Sequence, residues 1–203
     1  MNHIEPMLAR SADPFSDPRW IFEIKWDGTR ALCYIDETVR FINRRQVDIT
    51  HRYPEFHTMS RIIQADSCIL DGEIVVLQDG MPSFRDLQRR DHNEDPFKIS
   101  LLSQTIPAQY VVFDVLYVNG EDVMGEPLMD RKHLLNSMVS QTSQIIISPF
   151  IVEEGESYFI SAVKRGFEGI MAKKKDSVYQ PGVRSGSWLK IKKTHTVDCV
   201  IGG

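Results

Sequence analysis

Residues 23–30 read Glu-Ile-Lys-Trp-Asp-Gly-Thr-Arg, and they place a lysine, Lys25, between an apolar run and an Asp-Gly turn. Burial at the end of such a run disfavours the ammonium form of a lysine, which makes its amine a nucleophile. Gly28 lets the backbone approach a ligand closely, and Arg30 can offer a planar fork to phosphate or ribose oxygens. The octapeptide therefore suits attack on a nucleotide phosphate. Asp-Gly between alternating apolar residues is also a strong hairpin signal, so these eight residues alone leave both interpretations open.

The bulk composition is that of a globular protein. The chain has 203 residues, enough for one large or two small domains, and its 42% hydrophobic and 26% charged content is ordinary for that class. No run approaches the ~20 apolar residues that span a bilayer, and the start has no secretory pattern. The three cysteines, Cys33, Cys68 and Cys199, lack zinc-type spacing. These features predict an intracellular, cytoplasmic protein without a membrane partner.

The charge distribution is uneven, although the net charge is only −4. Residues 164–193 contain nine lysines and arginines against two acidic residues, so the rest of the chain is strongly acidic. A basic face on an acidic body suits a polyanionic ligand held on one side. A solvated lysine-rich surface would give the same counts, so charge alone does not choose between the two.

Alternation and turn signals predict an α+β fold with antiparallel sheets rather than a doubly wound parallel sheet. The predicted strands span 20–26, 30–35, 38–43, 68–77, 109–118, 145–151, 168–173, 188–193 and 196–201. The predicted helices span 54–63, 84–90, 130–140 and 155–165. Residues 91–107, which contain Asn-Glu-Asp-Pro, are predicted as an exposed loop. Neither a Rossmann fingerprint nor a P-loop is present, so any bound nucleotide would be held in another way.

Two further predicted strands carry polar residues among apolar ones. Asp71 begins an Asp-Gly pair followed by Glu73, which can accept hydrogen bonds from ribose hydroxyls or help to hold Mg²⁺; a surface hairpin is the alternative. Phe113 can stack on a purine, a contact worth about 1–3 kcal/mol, but an aromatic residue in a strand is more often core. Asp114 lies in an apolar run and needs a partner for its charge.

The basic segment holds two shorter patterns. Glu168 and Lys173 bracket a short apolar strand and can offer a carboxylate to Mg²⁺ and an ammonium to a phosphate oxygen. Lys190 and Lys192 share one face of a strand, where two cations repel unless an anion such as a triphosphate lies between them. An exposed edge strand protected by lysines is the alternative. Each pattern is ambiguous by itself.

Taken in order, these patterns resemble nucleotidyltransferase motifs I, III, IIIa, IV and V of ATP-dependent DNA ligases, RNA ligases and mRNA-capping enzymes. The matching residues are Lys25-x-Asp27-Gly28-x-Arg30, Asp71-Gly72-Glu73, Phe113-Asp114, Glu168-Gly169-x-x-x-Lys173 and Trp188-Leu-Lys190-x-Lys192. The flanking Pro6-Met-Leu-Ala and Tyr179-Gln-Pro-Gly-Val-Arg184-Ser most resemble the ligase domain of ligase D-type enzymes of prokaryotic end joining. The resemblance implies one nucleotidyltransferase (adenylation) domain over 1–203. Its ATP-grasp-like fold would have two antiparallel sheets, flanked by helices, around a nucleotide cleft.

The resemblance also implies a reaction. Lys25 would attack the α-phosphate of ATP and carry the AMP as a lysyl-AMP phosphoramidate. The AMP would pass to a DNA 5′-phosphate, and a 3′-hydroxyl would displace it to seal the nick. Lys190 and Lys192 would neutralise the phosphate charge, and Glu168, with Glu73, would bind Mg²⁺ or Mn²⁺.

The nucleotide would be held by residues from all five motifs and by two positions outside them, Glu23 and Arg44. Glu23 and Phe113 would frame the adenine, Arg30 and Glu73 would hold the ribose, and Arg44 would meet the ribose or a nick phosphate. The full implied set is Glu23, Lys25, Arg30, Arg44, Glu73, Phe113, Lys173, Lys190 and Lys192.

Two differences from the family pattern qualify the expectation. Such ligases continue after motif V into an OB-fold domain carrying motif VI, whereas this chain stops at Gly203. The chain is therefore expected to bind AMP or ATP but to adenylate itself slowly and to seal nicks poorly. No DNA-binding domain precedes Pro6, which agrees with the ligase D type. The expected partners are nicked or broken double-stranded DNA, the OB-fold domain and end-joining proteins.

Two other functions stay open. An RNA ligase or a capping-type nucleotidyltransferase would use the same motifs on another acceptor or with GTP. A non-catalytic nucleotide-binding or DNA-binding module would keep the cleft without the chemistry, although every chemically required residue, Lys25 included, is present. NAD⁺ as the AMP donor is not expected, because nothing resembles the extra N-terminal module of those ligases.

Overall fold

Two β-sheets form the framework of the computed structural model, which describes residues 4–193. The strands are β1 (Leu8–Ser11), β2 (Asp17–Ile24), β3 (Thr29–Ile35), β4 (Val39–Asn43), β5 (Cys68–Val75), β6 (Leu77–Gln78), β7 (Met81–Pro82), β8 (Gln109–Val118), β9 (Glu121–Asp122), β10 (Ile145–Ile147), β11 (Phe150–Glu153), β12 (Gly169–Lys174) and β13 (Arg184–Lys192). The helices are α1 (Phe84–Asp91), α2 (Pro96–Thr105), α3 (Leu128–Met138) and α4 (Gly155–Lys164). Three 3₁₀ turns lie at Thr50–Arg52, Pro54–Phe56 and Met59–Ile62.

The first sheet has the strand order β1-β13-β12-β2-β11, and the second has β10-β8-β5-β3-β4 with β9 beside β8. Neighbours are antiparallel except for β1 with β13 and β10 with β8, which are parallel. The α+β fold predicted from the sequence is therefore confirmed, with one parallel pair at an edge of each sheet. Within residues 4–193 no helix is long and apolar enough to cross a bilayer.

The segment that contains Asp27 and Gly28 connects the two sheets. β2 pairs with β11 and β12 in the first sheet, whereas β3 pairs with β4 and β5 in the second. The hairpin interpretation of the octapeptide is therefore wrong. A Cβ on Gly28 would overlap the carbonyl oxygen of Ile74, so the crossing passes too close to β5 for any other residue.

Three apolar clusters hold the sheets and helices together. One lies between the second sheet, the 3₁₀ turns and α3; another lies between the sheets; the third lies between the first sheet and α4. Representative members are Phe41, Phe56, Tyr110 and Leu135 in the first, Leu32, Ile69, Phe113 and Trp188 in the second, and Phe22, Ala162 and Ile170 in the third. Each sheet therefore has one face against the other sheet and one face against helices or turns.

The predicted loop at 91–107 is wrong, because most of it forms α2. The Asp95 carboxylate accepts hydrogen bonds from the backbone N–H groups of Phe97 (2.9 Å) and Lys98 (3.3 Å), and Pro96 occupies the first turn. An acidic N-cap followed by proline is a helix start signal. The Asn-Glu-Asp-Pro sequence was therefore a cap rather than a loop.

Other boundaries also differ from the sequence prediction. The helix predicted at 54–63 consists instead of 3₁₀ turns, and the single strand predicted at 145–151 is two strands in different sheets, β10 and β11. β1 was not predicted. The surface hairpin considered at Asp71 is wrong as well, because Asp71 is buried within β5. The predicted strand at 196–201 lies outside the described residues.

Candidate nucleotide site

A cleft of about 440 Å³ lies between the two sheets. Nine residues proposed from the sequence line it, from six strands and the two segments that follow β2 and β4: Glu23, Lys25, Arg30, Arg44, Glu73, Phe113, Lys173, Lys190 and Lys192. Glu168 adjoins the cleft through its ion pairs with Lys25 and Lys192. The sequence proposal therefore corresponds to one continuous site.

The register of the first sheet brings its polar residues to one face. Met171 of β12 lies opposite Glu23 of β2 and opposite Lys190 of β13, while Lys173 lies opposite Trp188. Side chains of directly opposed residues share a face of the sheet. That face carries the carboxylate and lysines of the cleft, whereas alternate residues face the apolar cluster at α4.

Lys25 lies directly after β2, where its backbone N–H donates to the carbonyl oxygen of Gly169 at 3.0 Å. Its side chain is 19% exposed, and its ammonium donates to Oε2 of Glu168. The ammonium of Lys192 pairs with Oε1 of the same carboxylate. Burial alone would raise the pKa of Glu168, but the hydrogen bonds from Lys192 and Lys25 hold it below its ordinary value. The Lys25 nitrogen is therefore engaged by Glu168, so nucleophilic attack requires this pair to open.

Glu23 lies deep in the cleft, fixed by two buried lysines. Lys132 of α3 donates to its Oε1, and Lys173 of β12 donates to its Oε2 at 2.9 Å. Burial alone would raise the pKa of Glu23, yet the charges of Lys132 and Lys173 hold it below its ordinary value. Burial in turn lowers the pKa of Lys173 to about 8, against the opposing effect of Glu23. Glu23 is therefore an anion held in a fixed position.

Aromatic rings surround this anion. The Lys173 ammonium lies 4.0 Å from the centre of the Phe113 ring and 4.3 Å from that of Trp188, a cation–π arrangement. The Arg30 guanidinium also approaches both rings, at 5.1 and 5.6 Å. Lys173 thus lies at the aromatic end of the cleft, bound to Glu23.

The Arg30 guanidinium is held from the second sheet by Asp71. Its Nε and Nη2 donate to the two carboxylate oxygens of Asp71 at 3.0 and 2.6 Å, and the Tyr179 hydroxyl donates to the same carboxylate at 2.7 Å. Asp71 is fully buried, so this bidentate pair fixes the plane of the guanidinium. Its remaining nitrogen is left for a ligand in the cleft.

Glu73 lies on the same wall as Arg30, two residues from Asp71. Burial raises the pKa of Glu73 to about 7, although the positive charges of Arg30 and Lys25 oppose the shift. The ordinary value is 4.5, so the folded protein keeps a proton between about pH 5 and 7 that the unfolded chain has lost. Near neutral pH this carboxyl can donate or accept a hydrogen bond.

Protonation of Glu73 predicts a pH dependence of stability. Because the folded state binds the extra proton, the free energy of unfolding should fall as the pH rises from about 5 to about 7 in metal-free buffer. Glu73→Gln should flatten this slope, and urea midpoints at pH 5, 6 and 7 measure it. Glu156→Gln, on the exposed face of α4, is the matched control and should keep the wild-type slope. Equal slopes for Glu73→Gln and the wild type would contradict the shifted pKa.

The opposite end of the cleft is basic. Lys190 and Lys192 project from β13, and Arg44, which is exposed after β4, also lines the cleft. Within residues 4–193 the Lys190 ammonium has no carboxylate partner. A cation such as Lys190, without a carboxylate partner, suits an anionic ligand such as a phosphate chain.

Glu168 and Glu73 are the carboxylates expected to bind a divalent metal. Residues 4–193 contain no group of three His, Cys, Asp or Glu side chains arranged for a metal. Both oxygens of Glu168 are taken by lysines. Mg²⁺ is commonly bound by one or two carboxylates with substrate phosphates completing its shell. The donor set therefore fits a metal that Glu168 would hold together with substrate phosphate oxygens.

Several residues of the site were not selected from the sequence. Lys132 lies in a helix whose pattern gives no sign that its ammonium is buried, and Asp71 was noted only as the neighbour of Glu73. Asp114 needed a partner, and this expectation is confirmed. Arg131 of α3 donates from Nε and Nη2 to its two oxygens at 2.8 Å, with both side chains fully buried.

Comparisons with known proteins agree with this geometry. A family model described as an ATP-dependent DNA ligase domain matches residues 6–192. The chain is 34% identical over 206 residues to the multifunctional non-homologous end joining DNA repair protein LigD of Mycobacterium tuberculosis, covering 100% of this chain and 25% of that protein. It is 35% identical over 215 residues to the DNA ligase of Thermococcus fumicolans, covering 98% of this chain and 38% of that protein.

Solved structures give the same correspondence. The structure of a mycobacterial DNA ligase D complexed with ATP and MES superposes with a TM-score of 0.78 at 33% identity, covering 93% of this chain and 60% of that one. The ligase domain of LigD from M. tuberculosis has the same TM-score at 32% identity, covering 93% of this chain and 59% of that one. The chain thus spans about a quarter of the length of the curated LigD proteins it matches.

Proposed function

Because this chain belongs to the ATP-dependent DNA ligase domain family, we propose that it is the nucleotidyltransferase part of a DNA ligase and that Lys25 takes AMP from ATP. The observation that carries the proposal is the position of Lys25. Lys25 lines the same cleft as the aromatic Phe113 and Trp188, which suit a base, and as Lys190 and Lys192, which suit phosphates. The end-joining role in the printed name of the LigD relative supports DNA repair as its context.

The proposed orientation follows the polarity of the cleft. The adenine lies against Phe113 and Glu23, both of which are buried in the cleft wall. The ribose lies beside Arg30 and Glu73, and the α-phosphate reaches Lys25. Phosphate oxygens contact Lys190 and Lys192, with Arg44 near the ribose or the nick phosphate. Lys173 acts at the base end, since its ammonium contacts Glu23.

The first step is phosphoryl-type transfer to nitrogen. Once the pair with Glu168 opens and the ammonium has given its proton to water, the Lys25 amine attacks the α-phosphorus. A P–N bond forms, the bond between the α-phosphorus and the oxygen that bridges to the β-phosphate breaks, and pyrophosphate leaves. Lys190 and Lys192 stabilise the negative charge on the transferred phosphate. Positioning and electrostatic stabilisation of this kind are the main protein contributions to phosphoryl transfer.

The second and third steps transfer the AMP onward. A DNA 5′-phosphate oxygen attacks the lysyl-AMP phosphorus and releases the Lys25 amine. A 3′-hydroxyl then attacks the activated 5′-phosphate, and AMP leaves as the nick is sealed. A divalent metal, Mg²⁺ or Mn²⁺, held by Glu168 with Glu73, would neutralise phosphate charge when bound.

The proposed partners follow from the same reaction. They are nicked or broken double-stranded DNA, a C-terminal OB-fold domain that acts with this domain, and end-joining proteins. We expect residues 1–203 alone to adenylate slowly and to seal nicks poorly, because we propose that the OB-fold domain takes part in both reactions. We place the protein inside a prokaryotic cell.

Intact mass spectrometry tests the proposal. The chain is measured before and after incubation with ATP and Mg²⁺, with GTP in a parallel sample, and then with nicked DNA or nicked RNA as acceptor. A gain of one AMP from ATP, reversed by pyrophosphate, and discharge of that AMP onto nicked DNA support a DNA ligase. Labelling by GTP would favour a capping-type enzyme, and discharge onto RNA alone an RNA ligase. No gain, even with an OB-fold domain attached, would leave a binding module.

A further inference from the structure

The Glu23 carboxylate has an unusual pair of partners. Each of its oxygens accepts a hydrogen bond from a different lysine, Lys132 from α3 and Lys173 from β12. All three side chains are buried, with at most 2% of any of them exposed. Ionised, they carry one net positive charge inside the protein. Such a charge is costly to bury, so this arrangement calls for a reason other than stability.

The two lysines are not equivalent. Lys173 is on the wall of the cleft, and its ammonium is also held by the rings of Phe113 and Trp188. Lys132 comes from a helix outside both sheets and does not line the cleft. Its ammonium, which donates to Glu23, also lies 5.6 Å from the centre of the Phe150 ring. Its ammonium therefore reaches the site only through Glu23.

We propose that Lys132 is a positioning residue for base selection: it fixes Glu23 as an anionic hydrogen-bond acceptor that recognises the 6-amino group of an adenine. This inference rests on the proposed function, because it assumes that a purine occupies the aromatic end of the cleft. Glu23 is the residue that contacts the base, and Lys132 acts through it.

The chemistry of the carboxylate decides which base it can recognise. An ionised carboxylate only accepts hydrogen bonds, and its two oxygens offer about four lone-pair sites. The two lysines occupy one site on each oxygen, so further sites remain, and Glu23 lines the cleft. A 6-amino group can donate to such a site, whereas the 6-oxo group of guanine would face it with a second acceptor. A carboxylate fixed by two ammonium groups cannot turn away or take up a proton to suit the oxo group.

Removal of Lys132 should leave the fold intact. Lys132→Met converts two cations and one anion into one buried pair, Glu23 with Lys173, so no uncompensated charge is left. Methionine fills the space of the lysine stem with a flexible apolar chain. The Oε1 atom loses its fixed donor, and the carboxylate becomes free to rotate.

Equilibrium binding of two mononucleotides tests the proposal. AMP and purine riboside 5′-monophosphate, which has hydrogen in place of the 6-amino group, are titrated calorimetrically into the wild-type chain, Lys132→Met, Lys132→Arg and Glu23→Gln. The wild type should prefer AMP by about tenfold or more, the size expected for a hydrogen bond to a charged group. Lys132→Met should lose most of that preference, as should Glu23→Gln. Lys132→Arg should keep most of it.

The preference ratio separates positioning from a structural role. A variant that only loosens the fold would weaken both nucleotides equally and leave the ratio unchanged, and that result with Lys132→Met would overturn the inference. Lys164→Met, at the exposed end of α4, is the matched lysine control and should change neither affinity. If the wild type binds AMP without preference, the inference fails alone. If it binds no AMP, the proposed function fails too.

Discussion

Lys25→Ala is expected to abolish the mass gain of one AMP and to lower the rate of self-adenylation by about a thousandfold or more. The proposed reaction has no other nucleophile, so loss of Lys25 removes the group that accepts AMP. The fold should survive, because Glu168 keeps its pair with Lys192. Intact mass spectrometry after incubation with ATP and Mg²⁺ measures the adduct, and circular dichroism measures folding.

Lys25→Arg is the sharper companion variant. An arginine can keep the ion pair with Glu168, but its guanidinium stays protonated and does not attack phosphorus. Nucleotide binding should therefore persist while the adduct disappears. Lys174→Ala removes a lysine of β12 that pairs with Asp176 at the surface, and it should label as the wild type does. An AMP adduct on Lys25→Arg, mapped to Lys190 or another lysine, would assign the nucleophile elsewhere.

The family could be predicted from the sequence because the residues that identify it lie in short, ordered motifs. The motif order predicted an ATP-dependent ligase domain, and the match over residues 6–192 confirms it. Lys25 and the residues around it lie at strand ends or on one face of a strand, where alternation alone fixes which side they occupy. The two sheets bring nine of these residues into one cleft, where the register of β2, β12 and β13 places Glu23, Lys173 and Lys190 on one face.

What the sequence missed depends on contacts between distant segments. Lys132 and Arg131 are adjacent in α3, and both are buried on carboxylates 109 and 17 residues away, on Glu23 and Asp114. A charged pair in a helix normally indicates a solvated face, so no local pattern marks them. The hairpin interpretation of Asp27-Gly28 was wrong for a related reason. The strands on either side pair with partners in separate sheets, and a local turn signal carries no information about those partners.

Arg131→Leu is expected to lower the free energy of unfolding by about 3–5 kcal/mol, the usual cost of removing one partner of a buried ion pair. It removes both donors to Asp114, and also the hydrogen bond from Nη1 to the Ser177 carbonyl at 3.0 Å. Asp114 would then be a fully buried carboxylate without a cation. Urea unfolding followed by circular dichroism measures the loss.

Adding Asp114→Leu to Arg131→Leu should recover much of that stability, because the cost arises from the unpaired charge rather than from the absence of the pair. Arg19→Leu is the matched control: its ion pair with Asp17 is at the surface, and its loss should have little effect on stability.

The ion pair between Asp114 and Arg131 also matters for the site. Asp114 adjoins Phe113 of the cleft, and Arg131 adjoins Lys132 on Glu23, so the same salt bridge anchors α3 against β8. The single variant should therefore weaken AMP binding as well, and an unstable Arg131→Leu with unchanged AMP affinity would separate the stability of α3 from the positioning of Glu23.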